Sequence, residues 1–250
     1  MKSVEEQSIV TTYEEMAEVI ARLGILPLAQ LIPEHPSVNG LTKAENWHTG
    51  SELDPWAWRA RFPGEGLAGY GKFIRKKAIL VSREWFPAFV AAVGSVQEIE
   101  ERYNNGLASR EAVILLGIIG DNQGIETREL RALADMKAKE KKTAFDNALN
   151  ELQGTADIVI SGVKARLNAE GEVNGWNSTS FETAGHWMKE NNLSSFEGSR
   201  EEAAAWLHSA MEGVWTPAAI AWIRKSYVLV NNKTAYSFLR EVMGRKRFLE

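Results

Sequence analysis

The order of apolar patterns between residues 109 and 178 constrains this fold more than any other feature of the sequence. The patterns are, in order, an apolar helix at 110–120, a lone apolar Ile125, helices at 127–134 and 139–153, an alternating run at 157–161, a glycine-marked loop and the segment 172–178. Helix, short strand, helix, helix and β-hairpin is the order of a winged helix, a helix-turn-helix with an attached two-stranded wing. The sequence therefore predicts a winged helix at about 107–180.

The patterns on either side of this unit predict an α+β protein, mainly helical, with winged-helix (helix-turn-helix plus β-wing) units. Residues 1–106 read as a mixed α/β half that can form a second, degenerate winged-helix-like unit. Residues 181–250 read as helices that pack on both. We find no internal repeat in the sequence. Within this scheme, Thr12, Asp54, Thr127 and Ser199 are the expected helix N-caps.

Several classes of protein are excluded by what the sequence lacks. There is no cysteine, which excludes disulfides, thiolate zinc sites and cysteine nucleophiles. No apolar run approaches the ~20 residues that span a bilayer, and the first residues do not resemble a signal peptide. We therefore expect a cytoplasmic protein with no membrane partner. The four histidines lack ligand spacing, and no phosphate loop, dinucleotide fingerprint or nucleophile elbow is present, so neither a metal nor a cofactor is predicted.

Nucleic-acid binding is predicted first from the helix at 139–153, because the third helix of a winged helix usually enters the major groove. The net charge of the chain is −4, but residues 127–147 hold six basic and four acidic residues. The candidate phosphate-binding residues on this helix and before it are Lys137, Lys139, Lys141 and Lys142, with Thr143 and Asn147 near base edges. The alternative is a solvated face on a protein-binding winged helix. Glu140 and Asp146 on the same helix weaken the prediction of DNA contact and favour non-specific or shape reading over base reading.

Two further basic segments are candidates for the same role. Lys164 and Arg166 lie in the predicted wing, and wings reach a minor groove with such side chains. A structural wing, with Trp176 packed back on the core, is the alternative. The third group, Arg75, Lys76 and Lys77, lies between two strand-like runs in a stretch from 71 to 83 that has no acid. DNA is thus the predicted partner, and the sequence does not determine the oligomeric state.

An aromatic-rich region between residues 47 and 87 is the second candidate site. Its members could line a pocket that stacks an extruded base. They are His48, Asp54, Trp56, Trp58, Arg59 and Tyr70, with Asp54 or Glu65 as an acid. Trp56 and Trp58 are two residues apart on a short helix, so they cannot share one face. Core packing of the tryptophans and a hydrogen-bonded structural role for His48 are the alternatives.

These residues carry a resemblance to a known family. The segments are Gly24-Ile-Leu-Pro-Leu, Trp47-His-Thr, Asp54-Pro-Trp-Ala-Trp-Arg, Tyr70-Gly-Lys-Phe, Val81-Ser-Arg-Glu-Trp-Phe-Pro and Gly175-Trp-Asn-Ser-Thr. They resemble the AlkZ-related winged-helix proteins, a bacterial group similar to the winged-helix DNA glycosylases of the AlkZ type, and the resemblance covers about residues 13 to 225. The resemblance implies several winged-helix units around a concave, DNA-sized surface.

The same resemblance implies where catalysis would occur. The glycosylases place a Gln-x-Gln or Gln-x-Asp pair after their first helix, and the corresponding positions here are Pro27 and Ala29. Neither side chain can donate or accept a hydrogen bond, and Gln30 and Gln97 do not restore the pair. The sequence thus leaves three hypotheses: a nucleic-acid-binding relative of the glycosylases without their pair, an enzyme or small-molecule or base-recognising protein using the aromatic-rich region, and a winged helix used for protein assembly.

Overall fold

A computed structural model describes residues 9–164 and 178–228, where the chain forms helices and two antiparallel three-stranded sheets. The helices are α1 (Tyr13–Leu23), α2 (Val38–Leu41), α3 (Pro55–Gly64), α4 (Phe86–Val93), α5 (Ile99–Asn104), α6 (Arg110–Asp121), α7 (Thr127–Leu133), α8 (Lys142–Gly154), α9 (Ala184–Glu190), α10 (Arg200–Glu212) and α11 (Pro217–Val228). The strands are β1 (Ile25–Pro27), β2 (Ala68–Ile74), β3 (Lys77–Ser82), β4 (Ile125–Glu126), β5 (Ile158–Lys164) and β6 (Ser178–Thr183). The predicted wing residues Arg166 and Trp176, and the side chain of Lys164, lie outside the described residues. The α+β prediction is confirmed.

The first sheet has the order β1-β3-β2. Leu26 pairs with Leu80, and Leu80 pairs on its other side with Tyr70. The two prolines at 27 and 33 favour an irregular connector after α1, but Ile25–Pro27 forms a strand. β1 is an edge strand, where a proline that cannot donate to a ladder is tolerated.

The second sheet has the order β4-β6-β5 and belongs to the unit on which the sequence analysis rested. Ile125 pairs with Phe181, which pairs on its other side with Ile160. The observed order α6, β4, α7, α8, β5, β6 confirms the predicted order of elements. The prediction of Thr127 as the N-cap of α7 is wrong by one residue, since the Glu126 carboxylate accepts from the backbone N–H groups of Arg128 and Glu129.

Both sheets belong to units of the same topology. In the first unit α1, β1, α2, α3, β2 and β3 follow one another as α6, β4, α7, α8, β5 and β6 do in the second. In each, the short first strand pairs with the last strand, and the middle strand of the sequence lies at the far edge. The fold thus repeats a topology although the sequence shows no repeat.

The two units pack reciprocally through their third helices. Helix α3 lies against β5 of the second unit, and α8 lies against β2 of the first. At one junction the Lys72 backbone N–H donates to Gln153 Oε1 at 2.9 Å. At the other junction, Gly162 of β5 packs against the backbone of α3, since a Cβ atom added to Gly162 would lie 3.7 Å from the Ala60 carbonyl oxygen. The two far-edge strands, β2 and β5, also contact each other.

Two apolar clusters fill the spaces on either side of the sheets. Residues on opposite faces of one strand join different clusters, since successive strand side chains point to opposite faces. In β5, for example, Ile158 and Ile160 join the cluster with α1, α3, α6 and α8, whereas Val159 joins the cluster with α4, α9, α10 and α11. β5 is therefore buried on both faces at Ile158, Val159 and Ile160.

The C-terminal helices are attached to the first unit by tryptophan side chains. Trp187 Nε1 donates to the Pro63 carbonyl at 2.9 Å, and Trp215 Nε1 donates to the Leu23 carbonyl at 2.8 Å. Helix α10 lies against α4. Across residues 9–164 and 178–228, none of the helices has the length and apolar character needed to cross a bilayer.

Candidate functional site

Helix α8 has one apolar face and one polar face. Phe145, Ala148, Leu149 and Leu152 are buried in the core. Thr143, Asp146 and Asn147 are exposed on the opposite face. The division follows the helical period, which places residues three and four apart on one side. The exposed face is therefore polar throughout, with no large apolar side chain to form an assembly contact.

The predicted lysines gather at the beginning of α8, and all four are exposed. Lys139 and Lys141 lie on a 3₁₀ turn, Lys139–Lys141, that precedes the helix, and Lys142 is its first residue. Lys141 Nζ contacts Asp135 Oδ2 at 2.8 Å, and Lys142 Nζ lies 3.4 Å from Asp146 Oδ2. Within the described chain, Lys137 and Lys139 form no ion pair. The exposed positive charge here thus comes mainly from these two residues.

A second basic group, Arg75, Lys76 and Lys77, lies at the turn of the β2–β3 hairpin. Ile74 pairs with Lys77, so Arg75 and Lys76 form a two-residue turn, and their φ angles are +51° and +59°. Such turns favour Asn and Gly because both central residues need a positive φ. The Arg75 guanidinium lies 4.5 Å from the ring centre of Trp222 on α11, a partner that the sequence analysis did not single out. Arg75 and Lys76 thus occupy turn positions whose positive φ angles favour Asn and Gly over basic residues.

The two basic groups lie in different places relative to α8. Lys142 begins the helix, whereas Gln153, near its end, accepts from the backbone of Lys72 in β2. A helix of 13 residues is about 20 Å long. The structure therefore separates the lysines before α8 from the strand that leads to the hairpin turn by about the length of the helix.

The aromatic residues of the second candidate site divide between core and surface. Trp58 is 2% exposed and donates through Nε1 to the Glu52 carbonyl, whereas Trp56 is 40% exposed. Trp56 contacts the His48 ring, with 4.8 Å between the ring centroids, and the Arg59 guanidinium, which lies 3.5 Å from the Trp56 ring centre. Tyr70 is buried beside Arg59. The residues thus meet at the surface as a stack of His48, Trp56 and Arg59, with Trp58 and Tyr70 beneath it in the core.

The carboxylate of Asp54 is occupied in organising the loop before α3. It accepts from the backbone N–H groups of His48, Gly50 and Trp56 at 3.0, 2.9 and 2.9 Å. Burial alone would raise the pKa of Asp54, but the three N–H donors outweigh it and hold the pKa below its ordinary value. A carboxyl of this kind stays ionised at neutral pH. Its arrangement is that of a helix cap and does not support the role of an acid.

Glu65, the other predicted acid, is also engaged. It accepts from the Tyr13 hydroxyl at 2.9 Å and from Arg61 Nε. Burial would raise the pKa of Glu65, but these two bonds lower it below its ordinary value. Neither predicted acid is therefore set up to donate a proton.

The positions that correspond to the glycosylase pair lie on and just after β1. Pro27 is buried in the strand, and Ala29 is exposed. Gln30 donates through Nε2 to the carbonyls of Ile32 and His35, and Gln97 donates to Glu101. Both glutamines thus bond to residues near them in the chain. No side-chain pair at this place can hold a water or a sugar cation.

Comparisons with known proteins agree with this architecture. A sequence model of the family described as AlkZ related matches residues 10–227. The structure of the DNA glycosylase AlkZ from Streptomyces sahachiroi is similar, with a TM-score of 0.52 and 15% identity, over 97% of this chain and 61% of that one. A likeness at this identity shows the fold alone. This chain spans less than two thirds of that protein, and no curated protein sequence matches it.

Proposed function

The chain belongs to the AlkZ-related family, and from that premise we propose that it binds duplex DNA through its second unit without excising bases by the glycosylase pair. In this proposal α6, β4, α7, α8, β5 and β6 form a winged helix, and α8 is its recognition helix. The observation that carries the proposal is the polar outer face of α8 preceded by four exposed lysines. The third helix of such a unit is the element that enters the major groove.

The distribution of charge favours contacts with phosphates over contacts with bases. Lys137 and Lys139 have no carboxylate partner among the described residues, so their charge is available to a phosphate. Lys141 and Lys142 are already paired with Asp135 and Asp146. Phosphate contacts carry no sequence information by themselves. We therefore expect DNA binding that depends on salt much more than on sequence, with Thr143 and Asn147 as the residues nearest to bases.

The hairpin turn supplies a second phosphate contact in this proposal. The positive φ angles of Arg75 and Lys76 each cost of the order of 1 kcal/mol for residues other than glycine. Strain of this kind concentrates at functional sites, where the side chains are needed for a ligand. Lys77 follows directly in β3 and adds a third charge. The predicted wing residues Lys164 and Arg166 belong to the same proposal, as contacts beyond the described side chains.

The first test is the salt dependence of duplex binding. Each phosphate contact adds about 0.9 to the slope of the logarithm of the association constant against the logarithm of salt concentration. The double variant Lys137→Gln, Lys139→Gln should lower this slope by about 2. The matched control, Arg22→Gln, Lys189→Gln, removes two exposed charges from α1 and α9 and should leave it unchanged. Absence of duplex binding by the unchanged protein at low salt rejects the proposal.

Base excision is tested separately. Because Pro27 and Ala29 lack hydrogen-bonding side chains, incubation with an alkylated duplex should release no base, even under conditions in which the duplex is bound. Release of a base by the unchanged protein would contradict the absence of catalysis. It would leave the binding proposal intact, since the two measurements are independent.

The surface stack of His48, Trp56 and Arg59 favours a second, narrower role. The Trp56 indole is 40% exposed beside the His48 ring and the Arg59 guanidinium, and stacking of a base on such an indole contributes ~1–3 kcal/mol per base. We propose that it distinguishes DNA with an unpaired base from intact duplex. The Trp56→Ala variant should lose this preference and keep its affinity for intact duplex. An unchanged preference would reject the role.

A further inference from the structure

A cleft of about 370 Å³ lies between three segments of the chain. They are the end of α4, the loop between α8 and β5, and the beginning of α10. Its polar lining residues are Ser95, Thr155, Asp157, Ser199 and Arg200. None of these residues belongs to the proposed DNA-binding groups. The volume falls within the ~300–1,000 Å³ that is usual for small-molecule sites.

Arg200 is the unusual member of this lining. Its Nε and Nη2 atoms are buried and have no hydrogen-bond partner. Burial lowers the pKa of Arg200 from its ordinary value, although Glu201 opposes this effect. Arg200 is only partly buried, but two nitrogens out of water without an acceptor are costly, since buried charged groups are normally paired.

The beginning of α6 shows that the location of Arg200 is not imposed by its local sequence. Ser-Arg-Glu occurs at both places, with Ser109 and Ser199 as the N-caps and Arg110 and Arg200 as the first helical residues. Arg110 is exposed, whereas Arg200 is partly buried against the cleft. The same three residues therefore have two environments, and only the one beside the cleft contains unpartnered buried nitrogens.

Asp157 provides the second polar group of the cleft. Its Oδ2 accepts from Arg102 Nη2 at 2.8 Å and from the Thr155 hydroxyl at 2.5 Å. These bonds leave Oδ1 as an acceptor for a ligand. The Arg102 charge is balanced by this carboxylate, since the two form an ion pair with Arg102 only 6% exposed. The uncompensated charge at the cleft is thus that of Arg200.

We propose that this cleft binds a small ligand whose carboxylate or phosphate group contacts Arg200 and whose neighbouring hydrogen-bond donor contacts Asp157 Oδ1. The guanidinium supplies donors that match either oxyanion. The site is separate from the proposed DNA contacts, so it stands or falls independently of them.

The test is a titration of the full chain, followed by nuclear magnetic resonance through the Arg200 Nε–H signal and the backbone amide signals of the other lining residues, which remain in an Arg200 variant. The probes are inorganic phosphate, acetate and glycolate. Saturable shifts of the Arg200 signal are expected, and the Arg200→Gln variant should bind at least about tenfold more weakly, as loss of a charged hydrogen bond requires. Glycolate, which adds a hydroxyl donor to acetate, should bind more tightly than acetate. Tighter binding of phosphate would identify the ligand group as a phosphate, and tighter binding of acetate or glycolate would identify it as a carboxylate.

The matched control is Arg110→Gln, which removes the corresponding residue of α6 and should leave all three titrations unchanged. Without a probe, Arg200→Gln should not lower the free energy of unfolding, because it removes an unpaired charge rather than a bond. Three results would overturn the proposal: no saturable shift with any probe, equal weakening by both variants, or a loss of duplex affinity in Arg200→Gln. The last would mean that the oxyanion is a DNA phosphate.

Discussion

The two units of this molecule have one topology and different surfaces. In the second unit the third helix, α8, presents Thr143 and Asn147 to solvent and is preceded by lysines. In the first unit the third helix, α3, presents Trp56 and is preceded by a loop that holds His48 against it. Both helices bury their other face against the far-edge strand of the opposite unit. The packing of each third helix against the opposite unit fixes how the two units are arranged. The exposed faces of these two helices take no part in that packing and differ in chemistry.

The largest expected effect concerns the two faces of α3. Replacing Trp58 with Ala should lower the free energy of unfolding by about 3–5 kcal/mol, because it opens a cavity in the core and removes the bond to Glu52. Trp56→Ala, two residues away, should cost about 1 kcal/mol or less, the value of a surface cation–π contact. Chemical denaturation of both variants measures the difference. Similar losses in the two would show that the exposed face of α3 is structural.

A second prediction is that the first unit loses stability in acid before the second unit does. His35 is 4% exposed, its Nε2 lies 2.8 Å from the Ile25 carbonyl oxygen of β1, and its ring contacts Trp215. Burial lowers the pKa of His35 from 6.5 to about 4, against the smaller opposing effect of the Ile25 bond. The unfolded chain binds this proton more readily. Stability is therefore full above pH 6.5 and falls as the pH drops towards 4, by about 3 kcal/mol.

Denaturation curves between pH 7 and pH 4, for the unchanged protein and for His35→Gln, measure this loss. The variant keeps a donor for the Ile25 carbonyl and should show a flatter dependence on pH. Hydrogen exchange should show β1 losing protection before β4, since the His35 ring bonds to the Ile25 carbonyl of β1. Equal loss in both sheets would remove the asymmetry between the units.

A smaller effect is expected at the junction between the units. Gln153 is 2% exposed, accepts from the Lys72 N–H and donates to the Leu149 carbonyl. Gln153→Ala leaves the Lys72 N–H unpaired and should cost about 1–3 kcal/mol. Asn147→Ala changes the exposed face of the same helix and should stay within about 0.5 kcal/mol. Thermal or chemical unfolding gives both values, and a neutral Gln153→Ala would show that the junction does not depend on this bond.

The second unit could be predicted from sequence because its signals are local. The period of α8, the lone Ile125 and the alternating run each specify one element. Thr12 and Ser199 could be predicted as N-caps for the same reason, since each accepts from a backbone N–H only three residues away. The opposite faces of Trp56 and Trp58 also followed from helical spacing.

The first unit could not be predicted to the same extent because its signals depend on distant partners. β1 has three residues and ends in proline, and only its pairing with β3 makes it a strand. Helix α2 has four residues, so no period can reveal it. The cleft beside Arg200 is equally invisible, because Ser-Arg-Glu reads the same at α6 and α10. A second winged-helix-like unit at 1–106 was a possibility in the sequence, but the order and pairing of its elements came only from the structure.

The most direct test of the central claim compares the third helices on a fully paired duplex. A photoreactive benzoylphenylalanine is placed at Asn147 on α8 or at Ala57 on α3, both of which are exposed. Illumination should crosslink the Asn147 variant to the duplex, in a yield that falls as salt rises, and should leave the Ala57 variant free. Equal crosslinking at the two positions, or crosslinking at Ala57 alone, would contradict the claim that the second unit binds the duplex.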